Sequence, residues 1–461
     1  MTSLAVVNPF DLSVIEELTL HGEEHANRLL DGATSLYNDR QQWLPAHRRI
    51  EILEKTSEMM KARFEKLAMQ IALEGGKPLV DARVEVRRAI DGVSLCVKEL
   101  LHFTGEEIPM DLTAAGAGRL AWTTREPIGP VVAISAFNHP LNLIVHQVAP
   151  AVAVGCPVIV KPSEKTPLSA KYFVEILHEA GLPEPWCQLL VCNIPTTQKL
   201  AQDSRVAFVS FIGSSDVGWD LRARLAPGTR CVLEHGGAAP VILDDTASMD
   251  AVLPRLVKGG FYHAGQVCVS VQRVFAPQSQ AREIAERLGE MASRLVVGDA
   301  TQENVDVGPL IRPREVDRVA SWVDHAKKNG ATVIVGGSKG SDTTYTPTVL
   351  FEPGPDEHVS KREIFGPVVN VYSYEKLDQA IESANSLPFP FQAAVFTERL
   401  DVAFRCAKEL QAASVMVNDH TAFRVDWMPF AGHGQSGYGT GGMRYSMRDM
   451  SCEKLLVFNM N

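Results

Sequence analysis

The spacing of apolar residues changes character along the chain. Between residues 47 and 74 the apolar positions recur every three or four residues, which is the period of an amphipathic helix. These positions are Ile50, Leu53, Met60, Phe64, Leu67 and Ile71. Gly75, Gly76 and Pro78 follow them, and glycine and proline are typical of helix ends. The pattern therefore predicts one helix over 47–74.

From about residue 130, short continuous apolar runs replace this pattern. Residues 131–137 form such a run, as expected of a strand that is buried on both faces of a parallel sheet. Further strands are predicted at 157–160, 187–192, 206–211 and 230–233, with helical segments between the earlier ones. Because strands that alternate with helices are typical of βαβ units, the pattern predicts an α/β fold. Ligands of such sheets gather at the carboxyl ends of the strands.

Changes in composition indicate two larger units and a small excursion. A new series of helices and strands begins after Glu234 and continues to about residue 418. Residues 105–125 are poor in apolar side chains and rich in Gly and Ala, and they interrupt the first unit. The last twenty or so residues end in a strand-like tail. We expect the excursion to reach a neighbouring subunit, which predicts a homo-oligomer.

Length and charge narrow the class of protein. A chain of 461 residues is long enough for two or three domains with a large core. Its net charge of −10, without a dense Lys/Arg run, argues against nucleic acid or a membrane as a partner. We expect no signal peptide. The eight cysteines are scattered, as is typical of reduced thiols, and we therefore predict a cytoplasmic protein.

Polar residues follow several of the apolar runs, each in a predicted loop. In chain order they are Asn138, Lys161, Glu164, Gly213, Glu234, Cys268 and Glu363. Each has a plainer interpretation when it is taken alone: Cys268 as an inert buried thiol, Glu234 as a surface or helix-capping carboxylate, and Asn138 as a turn residue. Together, one amide, one thiol and one carboxylate are what thiol-based oxidation of an aldehyde requires.

The three candidate catalytic groups have complementary roles. A thiolate that attacks an aldehyde creates an alkoxide, which preorganised donors stabilise. The Asn138 amide and a backbone N–H near Cys268 are candidates for those donors. Loss of hydride then leaves a thioester, and Glu234 is suited to activate the water that hydrolyses it if burial raises its pKa. No step needs a metal, and the Cys187–Cys192 pair lacks the further ligands of a zinc site, so we expect none.

Over nearly its whole length, from about residue 8 to the carboxyl end, the chain resembles the NAD(P)-dependent aldehyde dehydrogenases. Matching stretches include REPIGPV at 125–131, VGPLI at 307–311, AVFT at 394–397, VND at 417–419 and MPFAGHGQSGYG at 428–439. The resemblance implies an α/β, aldehyde-dehydrogenase-like fold. Its parts would be a Rossmann-like cofactor-binding domain (1–104 and 126–233), an α/β catalytic domain (234–425), and an oligomerisation arm and tail (105–125 and 440–461).

The resemblance also implies a role for each site residue. It makes Cys268 the nucleophile, Glu234 the general base and Asn138 the oxyanion donor. For the cofactor it implies Lys161 and Glu164 at the adenosine ribose, Gly213 and Ser214 near the pyrophosphate, Glu363 at the nicotinamide ribose and Phe365 near the nicotinamide. A homodimer or homotetramer is implied as well.

Some positions depart from the family pattern. His235 and Ala238 flank the Gly-Gly pair where a leucine and a lysine are usual. Gln435 replaces a glutamate that helps to relay protons in many relatives, which puts the proton path in doubt but not the nucleophile. His139 stands where an aromatic residue is frequent, so the substrate tunnel is expected to be more polar than average.

The cofactor and the substrate class follow from a few charged residues. A carboxylate at Glu164 accepts hydrogen bonds from a free ribose 2′-hydroxyl and repels a 2′-phosphate, which favours NAD while leaving NADP possible. Tyr262 stands where relatives that use succinate semialdehyde carry arginine, so that substrate is disfavoured.

The segment 420–426 resembles the substrate loop of dehydrogenases acting on lactaldehyde, glyceraldehyde 3-phosphate or phosphono- and sulfo-aldehydes. Arg424, His139 and His433 are therefore candidates to bind an anionic head group. The alternative for Arg424 is a structural ion pair with Asp426 or another neighbour. Arg87 and Arg88 are further candidates that a helix surface explains equally well.

The sequence thus predicts a CoA-independent oxidoreductase that converts a small, polar or anionic aldehyde to its carboxylic acid. The main alternatives are an NADP-linked or a CoA-acylating relative. Glu234 argues against the second, since CoA-acylating enzymes typically lack this base. A cysteine hydrolase and a catalytically silent binding protein also remain open, although the cofactor residues and the complete catalytic set disfavour them.

Overall fold

The structure is a computed structural model that describes residues 3–460. Its strands are β1 Ser3–Val7, β2 Val14–Thr19, β3 Glu107–Ile108, β4 Arg119–Pro127, β5 Val131–Ile134, β6 Val158–Lys161, β7 Cys187–Leu189, β8 Phe208–Ile212, β9 Arg230–Glu234, β10 Ala239–Leu243, β11 Val271–Pro277, β12 Thr332–Val335, β13 Thr348–Phe351, β14 Val368–Tyr374, β15 Gln392–Phe396, β16 Ser414–Val417, β17 Gly437–Tyr438 and β18 Ser451–Asn459.

The α-helices are α1 Glu23–Asn38, α2 Ala46–Ala62, α3 Phe64–Gly75, α4 Leu79–Leu100, α5 Asn142–Val154, α6 Leu168–Glu179, α7 Ile194–Ala201, α8 Ser215–Ala223, α9 Met249–Phe261, α10 Gln278–Ser293, α11 Pro313–Lys328, α12 His358–Lys361, α13 Leu377–Asn385, α14 Leu400–Glu409 and α15 Met443–Asp449. None of the helices in the described chain is long and apolar enough to cross a membrane.

Two large sheets organise the chain. The first has the strand order β17-β9-β8-β5-β6-β7 and is parallel except for β17, which pairs antiparallel to β9. The second has the order β12-β13-β14-β11-β10-β15-β16 and is parallel except for the β12–β13 pair. Strands β5, β6 and β10 are buried at every residue, as parallel strands covered by helices on both faces should be. The predicted α/β fold is confirmed.

The excursion forms part of a third, antiparallel sheet. β3 and β4 pair with each other, and β4 also pairs with the carboxyl-terminal strand β18 over nine residues. The chain segments that sequence analysis assigned to an arm and a tail therefore meet in one sheet.

The single helix predicted over 47–74 is two helices. α2 ends at Ala62 and α3 begins at Phe64, because Arg63 between them leaves the helical conformation. The apolar period continues across this break, so the pattern alone did not show it. The predicted end is confirmed: Gly76 adopts φ +64° and closes α3 in the left-handed conformation that glycine favours.

Candidate active site

One cleft of about 720 Å³ collects most of the predicted site residues. Its lining includes the segments that follow β5, β6, β8 and β9 of the first sheet, and residues of the loops around Cys268 and Glu363. Ligand sites at the carboxyl ends of parallel strands are usual in α/β proteins. The candidate catalytic, cofactor and head-group residues that line this cleft are Asn138, His139, Lys161, Glu164, Gly213, Ser214, Glu234, Cys268, Glu363, Phe365 and Arg424.

Cys268 follows a tight turn over residues 262–265. His263 and Ala264 have φ values of +49° and +54°, a conformation that residues with a Cβ atom rarely adopt. The buried side chain of Gln266 secures the turn, because its Oε1 accepts the backbone N–H of Ile311 at 2.9 Å. Burial raises the pKa of the Cys268 thiol to about 12, and the carboxylates of Glu363 and Glu234 act in the same direction.

The Asn138 side chain is held against the cysteine loop. Its Nδ2 donates a hydrogen bond to the backbone carbonyl of Gln266, two residues before Cys268, at 2.9 Å. An amide nitrogen carries two N–H donors, so this bond orients the group and leaves a second donor. Asn138 is buried, which strengthens any hydrogen bond that it makes to a developing charge.

Glu234 is the last residue of β9, and two strands secure its backbone. Its carbonyl accepts the N–H of Gly213, which follows β8, at 3.1 Å, and it pairs with Gly437 of β17. Burial raises the pKa of the Glu234 carboxyl to about 7, with Arg424 opposing the shift. A pKa raised into the neutral range suits a general base.

Glu363 carries a buried carboxylate oxygen without a partner in the described chain. The carboxylate lies against Gly236, where any Cβ atom would overlap Oε1. Burial raises the pKa of Glu363 to about 8. Two residues later, Phe365 has φ +49° and meets the Phe137 ring edge-on, with the centroids 5.7 Å apart. An unpartnered buried acceptor in an open cleft fits a hydroxyl-bearing ligand such as a ribose.

The other predicted cofactor residues lie along the first sheet. Lys161 ends β6 and is buried, and burial lowers its pKa while nearby Glu164 opposes that shift. Gly213 follows β8, and Ser214 is the residue before the first turn of α8. The free N–H groups of a helix amino terminus attract anionic groups such as a diphosphate. Together these residues fit a dinucleotide.

Arg424 does not form the ion pair with Asp426 that was the alternative to a substrate role. Asp426 instead accepts two hydrogen bonds from Arg88, from Nε at 3.0 Å and from Nη2 at 2.8 Å. The Arg424 guanidinium stacks on Phe430 at 3.7 Å from the ring centroid, and its Nη1 is buried without a partner in the described chain. Burial lowers the Arg424 pKa to about 10, so the group stays charged at neutral pH.

The surroundings of His139 disfavour a positive charge on its ring. Its Nδ1 accepts a hydrogen bond from the buried Lys77 at 2.7 Å, and Lys77 also pairs with Glu85. Burial, helped by the charge of Lys77, lowers the pKa of His139 to about 4. The ring lines the cleft but is neutral at physiological pH, so it supplies no positive charge to an anionic head group.

His433 and Gln435 are not brought to the cleft. Both side chains are exposed, and neither is part of the cleft lining. The backbone of this segment has a supporting role instead, because the Ser436 carbonyl accepts the N–H of His235 at 3.1 Å. A substrate contact from His433 stays a prediction that the lining of this cleft does not support.

Sequence reasoning missed two residues that shape the site: Gln266 secures the cysteine loop, and His146 of α5 lines the cleft. Arg88 was a candidate for the anionic head group, and in the structure it forms the ion pair with Asp426. A signal for His146 was available, since Asn142 and His146 are polar residues four positions apart in a largely apolar helix and therefore share a face. No cluster of three or more metal-ligating side chains occurs within residues 3–460.

Comparison with known proteins gives a consistent result. The model of the aldehyde dehydrogenase family matches residues 1–456. A 3-sulfolactaldehyde dehydrogenase from Priestia aryabhattai is 32% identical over 459 residues, which cover 99% of this chain and 95% of the relative.

Two solved structures are similarly close. Aldehyde dehydrogenase 21 from Physcomitrella patens, in complex with its reaction product succinate, superposes with a TM-score of 0.95 at 34% identity, covering 100% of this chain and 95% of the other. A glyceraldehyde-3-phosphate dehydrogenase from Methanocaldococcus jannaschii, in complex with NADP, gives 0.94 at 33% identity and covers 99% of both chains.

The fold and the family match define an oxidoreductase of the α/β class. The chain belongs to the aldehyde dehydrogenase family. The prediction of an NAD(P)-dependent aldehyde dehydrogenase, with relatives that act on small polar aldehydes, is confirmed.

Proposed function

We propose that this aldehyde dehydrogenase oxidises a small anionic aldehyde to its carboxylic acid, with Cys268, Glu234 and Asn138 as catalytic residues and without CoA. The observation that carries the proposal is the shared cleft: it holds the thiol, the carboxyl and the amide together with the unpartnered guanidinium of Arg424. A nicotinamide dinucleotide, when bound, supplies the hydride acceptor.

Cys268 attacks the aldehyde carbon, so that a C–S bond forms and the carbonyl oxygen becomes an alkoxide. The second amide N–H of Asn138 is the donor for this oxygen, since the first is used by the Gln266 carbonyl. Because the thiol pKa is high in the protein alone, the thiolate is a minor species at neutral pH. Preorganised donors to the alkoxide are therefore important for the rate.

Glu234 acts on the thioester that remains after oxidation. Its carboxylate takes a proton from a water molecule, the water oxygen attacks the acyl carbon, and the C–S bond breaks to release the acid. A base with a pKa near the working pH combines a useful ionised fraction with adequate basicity. The pKa of about 7 places Glu234 in that range.

The cofactor is held by the groove along the first sheet. Lys161 and Glu164 are placed for the adenosine ribose, Gly213 and Ser214 for the pyrophosphate, and Glu363 for the nicotinamide ribose, with Phe365 beside the nicotinamide. Repulsion between Glu164 and a 2′-phosphate favours NAD. Since the Methanocaldococcus relative was solved with NADP, NADP is the alternative cofactor.

The positive charge of Arg424 indicates the class of substrate. Arg424 is charged, buried and unpartnered at Nη1, and such a group needs an anionic partner. The named relatives agree with an anionic ligand, since sulfolactaldehyde, glyceraldehyde 3-phosphate and succinate all carry negative charge. Succinate semialdehyde, which Tyr262 disfavours, is therefore a necessary member of any substrate panel.

The proposed assembly is a homodimer or homotetramer. The sheet of β3, β4 and β18 exposes apolar side chains at Leu120, Leu455, Val457 and Phe458, and exposed apolar patches mark interaction surfaces. We retain residues 1–104 and 126–233 as the cofactor-binding domain, 234–425 as the catalytic domain, and 105–125 with 440–461 as the arm and tail. The eight free cysteines support a reducing, cytoplasmic location.

The test is NADH formation with neutral, cationic and anionic aldehydes at equal concentration, with and without CoA. We expect anionic aldehydes to give the highest kcat/KM, a free acid as product, and no stimulation by CoA. A preference for neutral aldehydes would overturn the anionic assignment but leave the oxidation intact. An acyl-CoA product would overturn the role of Glu234.

A further inference from the structure

Asp426 orients two polar side chains, Asn142 and His146, which line the same cleft as Arg424. Its Oδ1 lies 2.7 Å from Nε2 of His146 and 3.3 Å from Nδ2 of Asn142. Although burial by itself raises the pKa of Asp426, His146 and Arg88 hold it well below its usual range. Asp426 is therefore a carboxylate that only accepts hydrogen bonds, and both neighbours must turn a donor toward it.

This requirement determines which atoms of the two side chains remain free. Asn142 donates through Nδ2, and its Oδ1 is buried without a partner in residues 3–460. Nε2 of His146 faces Asp426, which only accepts, so Nε2 is the donor of this hydrogen bond. Burial lowers the pKa of His146, which favours the neutral ring. In the neutral ring Nδ1 is then an acceptor, since the side-chain hydrogen bond that His146 forms within residues 3–460 uses Nε2.

The two acceptors lie on one side of α5. Residues 142 and 146 are one helical turn apart, and both line the cleft beside Arg88 and Arg424. The buried and unpaired Oδ1 of Asn142 costs free energy, which a ligand with a hydrogen-bond donor recovers. An ammonium group would be repelled by the positive charges of Arg88 and Arg424. A hydroxyl group is the neutral donor that fits the local charge.

We propose that Asn142 and His146 form an acceptor subsite that selects aldehydes bearing a hydroxyl group beside the anionic group bound by Arg424. This inference rests on the proposed function and names a narrower substrate class within it: anionic hydroxyaldehydes. Asp426 is the positioning residue, because it sets the polarity of both side chains without itself needing to touch the substrate.

The test compares two aldehydes that differ only in the hydroxyl, 2-hydroxy-3-sulfopropanal and 3-sulfopropanal, in NADH formation by the complete enzyme. The wild-type protein is expected to favour the hydroxyaldehyde at least tenfold in kcat/KM, since a site built around a substrate hydroxyl discriminates strongly against its absence. Because the hydroxyl also changes the reactivity of the aldehyde, the decisive quantity is how this ratio changes in variants.

Three variants and a control make the comparison specific. His146→Phe keeps a ring but removes one acceptor, and Asn142→Leu removes the other. Each is expected to lower the ratio about tenfold, because it slows the hydroxyaldehyde more than 3-sulfopropanal. His146→Asn retains a donor for Asp426 and an acceptor for substrate, so it should recover part of the ratio. His47→Phe, on an exposed face of α2, is the matched control and should leave the ratio unchanged.

Measurable activity on 3-sulfopropanal reports at the same time that each variant is folded. Equal kcat/KM for the two aldehydes in the wild type, or an unchanged ratio in both His146→Phe and Asn142→Leu, would overturn the acceptor subsite while leaving the proposed function standing. Absence of NADH formation from every aldehyde would instead overturn the proposed function, and the subsite with it.

Discussion

Cys268 occupies a position that disfavours its ionised form. Burial removes the solvation of a thiolate, and two carboxyl groups in the same cleft, those of Glu363 and Glu234, oppose a further negative charge. Such a thiol resists oxidation and nonspecific alkylation. We infer that its reactivity develops when the ligands are bound, because donors and cations then compensate the charge.

The protein without ligands should therefore react slowly with iodoacetamide at Cys268. With a thiol pKa near 12, the thiolate fraction rises about tenfold per pH unit throughout the neutral range. We expect the alkylation rate, followed by mass spectrometry of the Cys268 peptide, to increase without a plateau from pH 7 to pH 9. A plateau near pH 7 would show that the thiol is already ionised.

Glu234 gives a second pH dependence, in which the rate reaches a plateau. Its carboxyl has a pKa raised to about 7 by burial, and the general base is its ionised form. The rate of thioester hydrolysis should thus rise from pH 6 to pH 8 and then level off. Single-turnover measurement of acid release tests this expectation. Glu234→Gln should lose the pH-dependent step together with about 10²–10⁴-fold of the rate.

At the scale of elements, the turn over 262–265 connects the catalytic loops. Gly265 has φ +69°, and a Cβ atom there would overlap the backbone carbonyl of Gly366. Gly366 closes the loop that carries Glu363 and Phe365. One backbone contact therefore links the position of the proposed nucleophile, Cys268, to that of Glu363, the predicted ribose-binding carboxylate.

Gly265→Ala should impair both loops. The left-handed conformation alone costs about 1–3 kcal/mol for a residue with a side chain, and displacement of Gly366 adds to this. We expect a lower melting temperature, weaker NAD binding and a large loss of kcat. Gly228→Ala is the matched control, since Gly228 also has positive φ (+92°) but has no atom within 4 Å of an added Cβ. Equal effects of the two substitutions would contradict the link between the loops.

At the scale of the whole molecule, the three-stranded sheet has apolar residues on both faces. Leu455 and Val457 share one face of β18, while Phe458 lies on the other and stacks on Trp122 with centroids 5.0 Å apart. Such a surface is a liability for a monomer. Burial against a second copy of the chain would stabilise it.

The double substitution Leu455→Glu with Val457→Glu should therefore shift the protein toward monomers. Analytical ultracentrifugation at micromolar concentration is the measurement, and the wild-type chain is expected to sediment as a dimer or tetramer. Val14→Glu, at an exposed position of the β1–β2 hairpin, is the control and should not change the assembly. A wild-type monomer would contradict the proposed interface.

Much of this molecule was predictable because its signals are local. Strand β5 and the first three residues of β6 are continuous apolar runs, and β8 and β9 are largely apolar. Asn138, Lys161, Gly213 and Glu234 follow or end these strands, so their common location was expected. The break at Arg63 was not, since the apolar period runs through it. Neutral His139 and unpartnered Arg424 depend on Lys77, Arg88 and Asp426, which are distant in sequence. Only packing shows which charges meet.

In the proposed mechanism Cys268 carries a covalent thioester, and Glu234 activates the water that hydrolyses it. The most direct measurement is a rapid-mixing experiment with Glu234→Gln, NAD and an accepted aldehyde, followed by intact-protein and peptide mass spectrometry. We predict a burst of about one NADH per active site and an acyl group on the Cys268 peptide, both absent in Cys268→Ala. Steady turnover of Glu234→Gln at the wild-type rate, or a burst without an adduct on Cys268, would contradict the account.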